Sequence, residues 1–517
     1  MTRRLALCVA LLTALAALAS PARAQAPAPK VTIEGFFDFE ASLSKNWSDA
    51  DITNARDTLG YTRERGRLFF IGEVGKSKME WALELDFTNG AGVGNTTPAA
   101  PGTSASLDLD TDVAGFTETK WLYVETPLTG PGSIMPFIPV PSTIRAGAQP
   151  AQGHSDKWGL VFSGDFPGVT VETAWAPNIK STLSYVQIRE ALFRTISPTS
   201  RQAESWAVLA SVAVTPLKGL TIKPTYAYAD YDGGNSGSLN SGIEPKGGFD
   251  PTATPGRAGS HTTRRHTFGA EAKWNVGAFR LEPSLFWQLG EQGIAPVLRN
   301  GQVKNSVDVR SWIFDGIAGY RLGPLDLSTR FMYTPGQEAQ QRVENGSDVA
   351  YYQSLHTGFA YMTGWTEIQT ASVGYNNALL AGCRGCVLWQ NPSYDKYGRI
   401  VWAVKADYAL TPALNLYGIV NVSWTDKDVD ENGIVGTTGI TPDFGKNTRG
   451  ENRYLGTELD LGMTWRFAPN TQLDLVWAYL FAGSAFDQAG SAANQAAGVV
   501  NDAKDVYKAV ARIRFTF

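Results

Sequence analysis

Apolar side chains recur at every second residue over much of this chain. Trp206, Val208, Ala210, Val212 and Val214 share one parity, and after TPLKG the alternation resumes with Leu220, Ile222, Tyr226 and Tyr228. Phe268, Ala270, Ala272 and Trp274 lead into NVGA, and Phe279, Leu281, Leu285 and Trp287 follow. The same unit returns at 312–333, 400–424 and 459–481. A period of two puts each set on one face of a strand. Within a unit the connection is short and holds Pro or Gly, the chemistry of a tight turn. Between units the connections are long and polar: 231–263, 289–306, 335–397, 425–452 and 482–505. Short turns at one end and long loops at the other are the asymmetry of a transmembrane β-barrel, and no apolar run after residue 24 is long enough for a membrane helix. Trp274, Tyr320, Tyr408 and Phe467 sit beside short turns, while Trp287, Tyr333, Trp424 and Phe481 sit beside long loops. That placement predicts two interfacial aromatic girdles.

The pattern predicts an all-β fold, an antiparallel barrel of 16–18 strands over residues 31–517. Eighteen is the preferred number, with strands near 31–42, 62–75, 78–88, 116–126, 143–149, 157–165, 168–175, 204–214, 220–230, 264–274, 278–288, 307–321, 325–334, 398–410, 413–424, 454–466, 471–481 and 506–517. Sixteen stays open because 127–203 is irregular. TLSYVQIREALFR at 182–194 reads as helical, and whether it or the long connection 335–397 folds into the lumen stays open. The final stretch VYKAVARIRFTF places Tyr507, Ala509, Ala511, Ile513, Phe515 and Phe517 on one face and Lys508, Arg512 and Arg514 on the other. A closed barrel pairs its last strand with its first, so that no edge meets lipid. Phe515 and the terminal Phe517 also resemble the signal read by the bacterial outer-membrane barrel-assembly machinery.

The N-terminus points to export. Arg3 and Arg4 precede the apolar stretch 5–19, and Ala22-Arg23-Ala24 has the form of a cleavage site. Residues 1–24 are therefore expected to be a signal peptide and 25–30 a short periplasmic lead. The 53 Gly, 15 Trp, 19 Tyr and 24 Phe, with a hydrophobic share of 43%, suit half-apolar strands joined by polar loops. The 45 Lys+Arg stand against 49 Asp+Glu and form no basic tract, so nucleic acid is not an expected partner. Outer-membrane lipid and lipopolysaccharide outside the wall, and small solutes within it, are. A homotrimer is one assembly open to such a barrel.

The chemistry-bearing motifs are few. Cys383 and Cys386 would remain after export and form a candidate loop disulfide. Val387 occupies the position where haem attachment needs His, and a zinc site would need a second Cys pair. The chain contains no G-x-S-x-G, H-E-x-x-H or P-loop, and an enzyme, a metal site or a cofactor is not expected. Asp426, Asp428 and Asp430 have calcium-loop spacing, but Glu431 stands where that loop needs Gly, which favours a plain acidic loop.

Inward-facing charges are the candidate functional residues. The first strand puts Val31, Ile33, Phe37 and Phe39 outward and Glu34, Asp38 and Glu40 inward. The second puts Leu68, Phe70 and Val74 outward and Arg63, Arg65 and Arg67 inward as a ladder. The third puts Trp81, Leu83, Leu85 and Phe87 outward and Glu84 and Asp86 inward, with Arg67 expected opposite Asp86. Further pore-lining candidates are Lys273, Arg280, Arg330, Arg512 and Arg514. Two roles stay open for the ladder: a wall of cross-strand ion pairs, or an anion-selectivity element.

The stretch YTRERGRLFFIGEVGKSKMEWALELDF, residues 61–87, resembles the early strands of Gram-negative porins of the phosphate-selective type. The shared features are Arg65, the run Arg67-Leu68-x-Phe70-x-Gly72, and Trp81 closing on Asp86-Phe87. Alternating Arg63-Glu64-Arg65 replaces that family's adjacent double arginine. Alginate-export barrels are a similar eighteen-stranded alternative. The resemblance implies an outer-membrane porin giving passive diffusion of small hydrophilic, including anionic, solutes. The rival expectations are a dedicated exporter or sheath whose lumen holds a polymer or an electron-transfer partner, and a secreted β-rich protein.

Overall fold

The computed structural model describes residues 28–46, 58–89, 116–151, 153–157, 159–162, 164–189, 205–231, 263–341, 346–355, 364–370, 372–374, 396–430, 434–436, 439–441, 452–489 and 491–517. In chain order the strands are β1 (Lys30–Lys45), β2 (Leu59–Val74), β3 (Ser77–Asn89), β4 (Phe116–Thr129), β5 (Ser142–Pro150), β6 (Asp165–Ala176), β7 (Ile179–Arg189), β8 (Ser205–Leu217), β9 (Leu220–Tyr231) and β10 (Thr263–Val276). They continue with β11 (Phe279–Arg299), β12 (Gln302–Leu322), β13 (Leu325–Thr334), β14 (Arg399–Ala409), β15 (Leu414–Val429), β16 (Ile434–Gly436), β17 (Gly439–Thr441), β18 (Asn452–Ala468), β19 (Thr471–Ala482) and β20 (Val506–Thr516). β16 and β17 pair only with each other; the other eighteen form one antiparallel sheet.

That sheet closes. Each barrel strand pairs with its neighbours in sequence, and β20 pairs with both β19 and β1. Phe517 extends the closure: its N–H donates to the Gly35 carbonyl at 3.0 Å, and the Gly35 N–H donates to its carbonyl at 2.9 Å. The outward sets fall where alternation put them. Val31, Ile33, Phe37 and Phe39 on β1 are exposed, as are Trp287 on β11, Leu475 and Trp477 on β19, and Phe515 on β20. An apolar outer band on an edgeless sheet is the form in which strands satisfy every backbone group within a membrane.

The short turns are tighter than the unit pattern required. Val74 pairs directly with Ser77, so β2 and β3 are joined by Gly75-Lys76 alone, with Gly75 at φ 63. This moves the partner of Arg67 from Asp86 to Glu84, a slip of two residues that preserves facing. The expected loop 289–306 is instead the paired end of two 21-residue strands, with Arg299 opposite Gln302 around Asn300-Gly301. Both turn residues have positive φ, 52 and 76, as a two-residue hairpin requires. A crossing needs only about 9–11 residues, so this hairpin stands clear of the bilayer.

Two expectations in 127–203 fail together. Among the described residues the expected strand at 157–165 does not form, and those of 151–162 fold inward instead. The expected helix at 182–194 is β7, in which Leu183 and Tyr185 are exposed while Ser184 and Val186 are buried. The total of eighteen stands, with one strand exchanged for another. Described residues of the connection 335–397 enter the lumen, which the sequence leaves open. Tyr352, Leu355 and Trp365 from this connection and Leu160, Val161 and Phe162 from 151–164 form one apolar cluster. It packs on inward residues of the wall, among them Leu209, Ala227, Phe286, Ile313, Met332 and Val401. The Tyr352 hydroxyl donates to the Leu160 carbonyl at 2.9 Å, and the Leu355 N–H to the Val161 carbonyl at 2.8 Å. Each such buried apolar side chain stabilises by about 1.5–3 kcal/mol, which explains how loop segments hold against a largely polar wall.

Candidate functional site

Strands β20 and β1 to β5 carry a belt of cations paired with carboxylates. Register sets it: β1 brings Asp38 between Arg65 of β2 and Arg514 of β20, and β3 brings Glu84 opposite Arg67. Glu84 is the hub. It meets Arg67 directly, Arg65 at 3.4 Å and Lys120 at 3.6 Å, and Lys120 also reaches Asp165 at 3.0 Å. Arg514 chelates Asp38, with a 2.6 Å bond from Nε. Arg145 of β5 donates to Glu125 of β4 at 2.9 Å from Nε.

Aromatic rings underlie these charges. The guanidinium groups of Arg67 and Arg514 lie 5.5 and 4.7 Å from the centroid of the Phe36 ring. Arg145 and Lys78 lie 5.0 and 5.5 Å from that of Tyr123. Phe69 stacks on Trp121 at 5.6 Å, and Glu80 accepts from both Trp121 and Tyr123. Rings that face guanidinium groups hold them at a fixed height on the wall. The side chains of Arg67 and Arg514 remain 22% and 35% exposed, so they still reach open space.

The two infolded segments are fastened elsewhere. In the first, Glu271 of β10 accepts the N–H of Asp156 at 2.8 Å and of Lys157 at 3.3 Å. Lys157 then reaches Asp315 of β12 at 2.9 Å, Arg330 of β13 closes on the same carboxylate, and Asp156 pairs with Lys223 and Lys273. His154 is buried, its Nε2 2.7 Å from the Ser184 hydroxyl and its Nδ1 3.3 Å from that of Ser211. Burial, and then the charge of Lys223, pushes its imidazole down to about 4. Burial works to raise the Asp156 carboxyl, but Lys223 and Lys273 outweigh it and hold that group below its ordinary value. In the second segment, Glu458 and Asp460 of β18 accept N–H groups of residues 367–369.

The sequence-derived residues therefore divide. Arg65, Arg67, Arg514, Asp38 and Glu84 meet in one belt, and the Asp86 backbone lies opposite Arg65. Arg63 and Glu40 are register partners and both are buried, whereas Glu34 is exposed. Lys273 and Arg280 pair with Asp156 and Asp326. Arg330 and Arg512 serve the infolded segments: Arg330 is buried on Asp315 beneath Trp365, and Arg512 joins Asp474 to the Val373 carbonyl. Asp426 accepts from the Tyr333 hydroxyl at 3.0 Å and the Gly336 N–H at 2.9 Å, a loop anchor. Cys383, Cys386 and residues 1–24 lie outside the described residues.

Sequence reasoning missed Lys120 and Arg145. Strict alternation cannot place Lys120, because the β3–β4 register shifts between Ala82 and Leu83 and reverses facing. Arg145 was open to detection, as the one charge in the β5 sequence STIRAGAQP.

No curated protein matches the chain. Among solved structures, OccK8 (OprE) of Pseudomonas aeruginosa aligns at 12% identity and a TM-score of 0.48, covering 94% of this chain and 98% of that one. OccAB4 of Acinetobacter baumannii aligns at 10% and 0.47, with the same coverage. OpdQ of Pseudomonas aeruginosa aligns at 9% and 0.46, covering 95% and 98%. The closed antiparallel barrel with its apolar outer band places the protein in an outer membrane as a channel-type barrel. The family that matches is the alternative resemblance, not the phosphate-selective type that residues 61–87 suggested. A model of the alginate export family matches residues 199–500, more than half of the chain, and the protein belongs to that family.

Proposed function

We propose that this barrel lets small hydrophilic solutes diffuse across the outer membrane and favours anions, sugar acids in particular. The observation that carries the reading is the hub at Glu84, on which three cations, Arg65, Arg67 and Lys120, converge. Fixed cations on a water-filled wall concentrate anions, an effect that salt screens over about 10 Å at 0.1 M. Aromatic faces beside guanidinium groups suit a solute with an apolar ring face and a carboxylate. Membrane lipid and lipopolysaccharide around the outer band, assembly through Phe515 and Phe517, and removal of residues 1–24 belong to the same reading.

Arg65→Gln with Arg67→Gln tests it; Arg63 is left intact because it is buried. In planar bilayers under a KCl gradient, the reversal potential should move towards cation selectivity, most at low salt. An unchanged potential in a folded variant would reduce the belt to structure. Export of an acidic polysaccharide is the second reading, favoured by the family match. Uronate oligomers should then block the current for longer than the monomer does, whereas diffusion of small solutes predicts brief block by the monomer.

A further inference from the structure

Residues 364–370 and 372–374 belong to a strap whose placement depends on buried carboxylates, not on apolar packing alone. Glu367 donates its N–H to Asp460 at 2.8 Å; Ile368 and Gln369 donate theirs to the two oxygens of Glu458 at 2.5 and 3.0 Å. The Glu367 side chain then turns back and accepts the N–H groups of Ser372, Val373 and Gly374 at 3.1, 2.7 and 3.1 Å. Lys508 of β20 pairs with Glu367 at 2.7 Å with both side chains fully buried. Gln369 bonds Ser423 at 2.9 Å and Asn421 at 2.6 Å, and Arg512 holds the Val373 carbonyl at 3.0 Å. The fit is close: a Cβ added at Gly374 would lie 2.6 Å from a Glu367 oxygen and 2.8 Å from the Lys508 ammonium. Six backbone N–H groups thus converge on three carboxylates.

A strand that only lined an aqueous pore would point Glu458 and Asp460 into water. Here both are buried under the strap and accept backbone bonds from it. Charge-assisted bonds to backbone N–H are among the stronger kinds, and a buried carboxylate that loses its donors is strongly destabilised. The strap is therefore stable against the wall only while these acceptors are present.

We propose that Glu458 and Asp460 are positioning residues for permeation: they latch the strap to the wall formed by β15, β18, β19 and β20, and so set the width of the channel. This rests on the channel reading above. Glu458→Gln with Asp460→Asn keeps size and shape, but the Gln amide offers one acceptor oxygen to the two N–H groups that Glu458 holds, and turns its NH2 donor towards the other.

Hydrogen exchange of the amides of residues 367–374 and single-channel conductance, both on the refolded full barrel in lipid, test the latch. Exchange should accelerate by roughly tenfold for each of these bonds lost, and conductance should rise with switching between levels. Folding is checked by heat-modifiable migration. A third variant adds Gln369→Cys and Ser423→Cys to the double variant in a background without Cys383 and Cys386. A short thiol cross-linker should restore the lower conductance, and its cleavage should release it again. Unchanged exchange overturns the latch. Faster exchange with unchanged conductance, or no rescue by the cross-link, overturns its role in setting width. A wild-type barrel that does not conduct overturns the channel reading instead, while exchange still decides the latch.

Discussion

At the residue scale, position in the barrel decides what a charge does. Asp315 is fully buried and holds both Lys157 and Arg330. Asp315→Asn leaves two cations without their carboxylate and should cost about 3–5 kcal/mol, read from the urea midpoint of the barrel in lipid. Leu475, by contrast, faces outward and is exposed. Leu475→Arg should cost about 2–4 kcal/mol, the mid-bilayer value for a cation on a lipid face. His154 gives a pH dependence with a definite sign. Its imidazole is neutral at pH 7 because burial and Lys223 push it down to about 4, below the ordinary 6.5. The stability that depends on the neutral ring is complete above about pH 6.5 and is lost as pH falls through 4. Asp156, also held low, loses its pairing with Lys223 and Lys273 only in stronger acid. Exchange of the amides of residues 153–157 should therefore quicken between pH 6.5 and 4, and His154→Gln should remove most of that change.

At the element scale, closure depends on a small residue where three strands meet. A Cβ at Gly35 would lie 2.3 Å from the Arg67 carbonyl oxygen and 2.9 Å from the Phe517 ring. Gly35→Val should separate β1 from β2 or β20, lowering the yield of heat-modifiable barrel on gels. Deletion of Phe517 should lower it less, since it removes two backbone bonds of a register that runs from Phe36–Thr516 to Lys45–Tyr507. The element-level reading failed where two segments competed for one strand position. In 157–165 Trp158, Leu160 and Phe162 alternate cleanly, whereas in 179–189 Ser181 and Gln187 interrupt the parity shared by Ile179, Leu183 and Tyr185. Period two cannot tell a lipid-facing strand from a loop whose Leu160 and Phe162 find an apolar partner inside the barrel.

At the scale of the whole molecule, the lumen is not the open polar cylinder that the strand pattern suggests. Two segments from different connections meet within it and build an apolar core against one side of the wall. Tyr352 sits at the junction, fully buried and bonded to Leu160. Tyr352→Phe should remove only that hydrogen bond, about 1 kcal/mol. Tyr352→Ala should cost about 3–5 kcal/mol, by analogy with other aromatic truncations, and let the two segments part. Thermal unfolding would rank the two, and only the second should also raise single-channel conductance. Equal effects would mean that the ring does not join the segments.

Period-two alternation by itself determined the barrel, all of its strands but β7, the outward face of β1, β11, β19 and β20, and the pairing of last strand with first. Facing is a local property, fixed by the backbone pleat and by which side chains water rejects. The Arg65–Arg67 ladder and its acidic neighbours were legible for the same reason, correct in facing and two residues out in register. The tertiary structure alone decided which charges stay on the open wall and which fasten a loop. Arg67 and Arg330 are alike in sequence, inward arginines on alternating strands, yet one reaches open space and the other lies under Trp365. Nothing local separates them, because the burial of Arg330 comes from residues far away in the chain that reach it only after the barrel has closed.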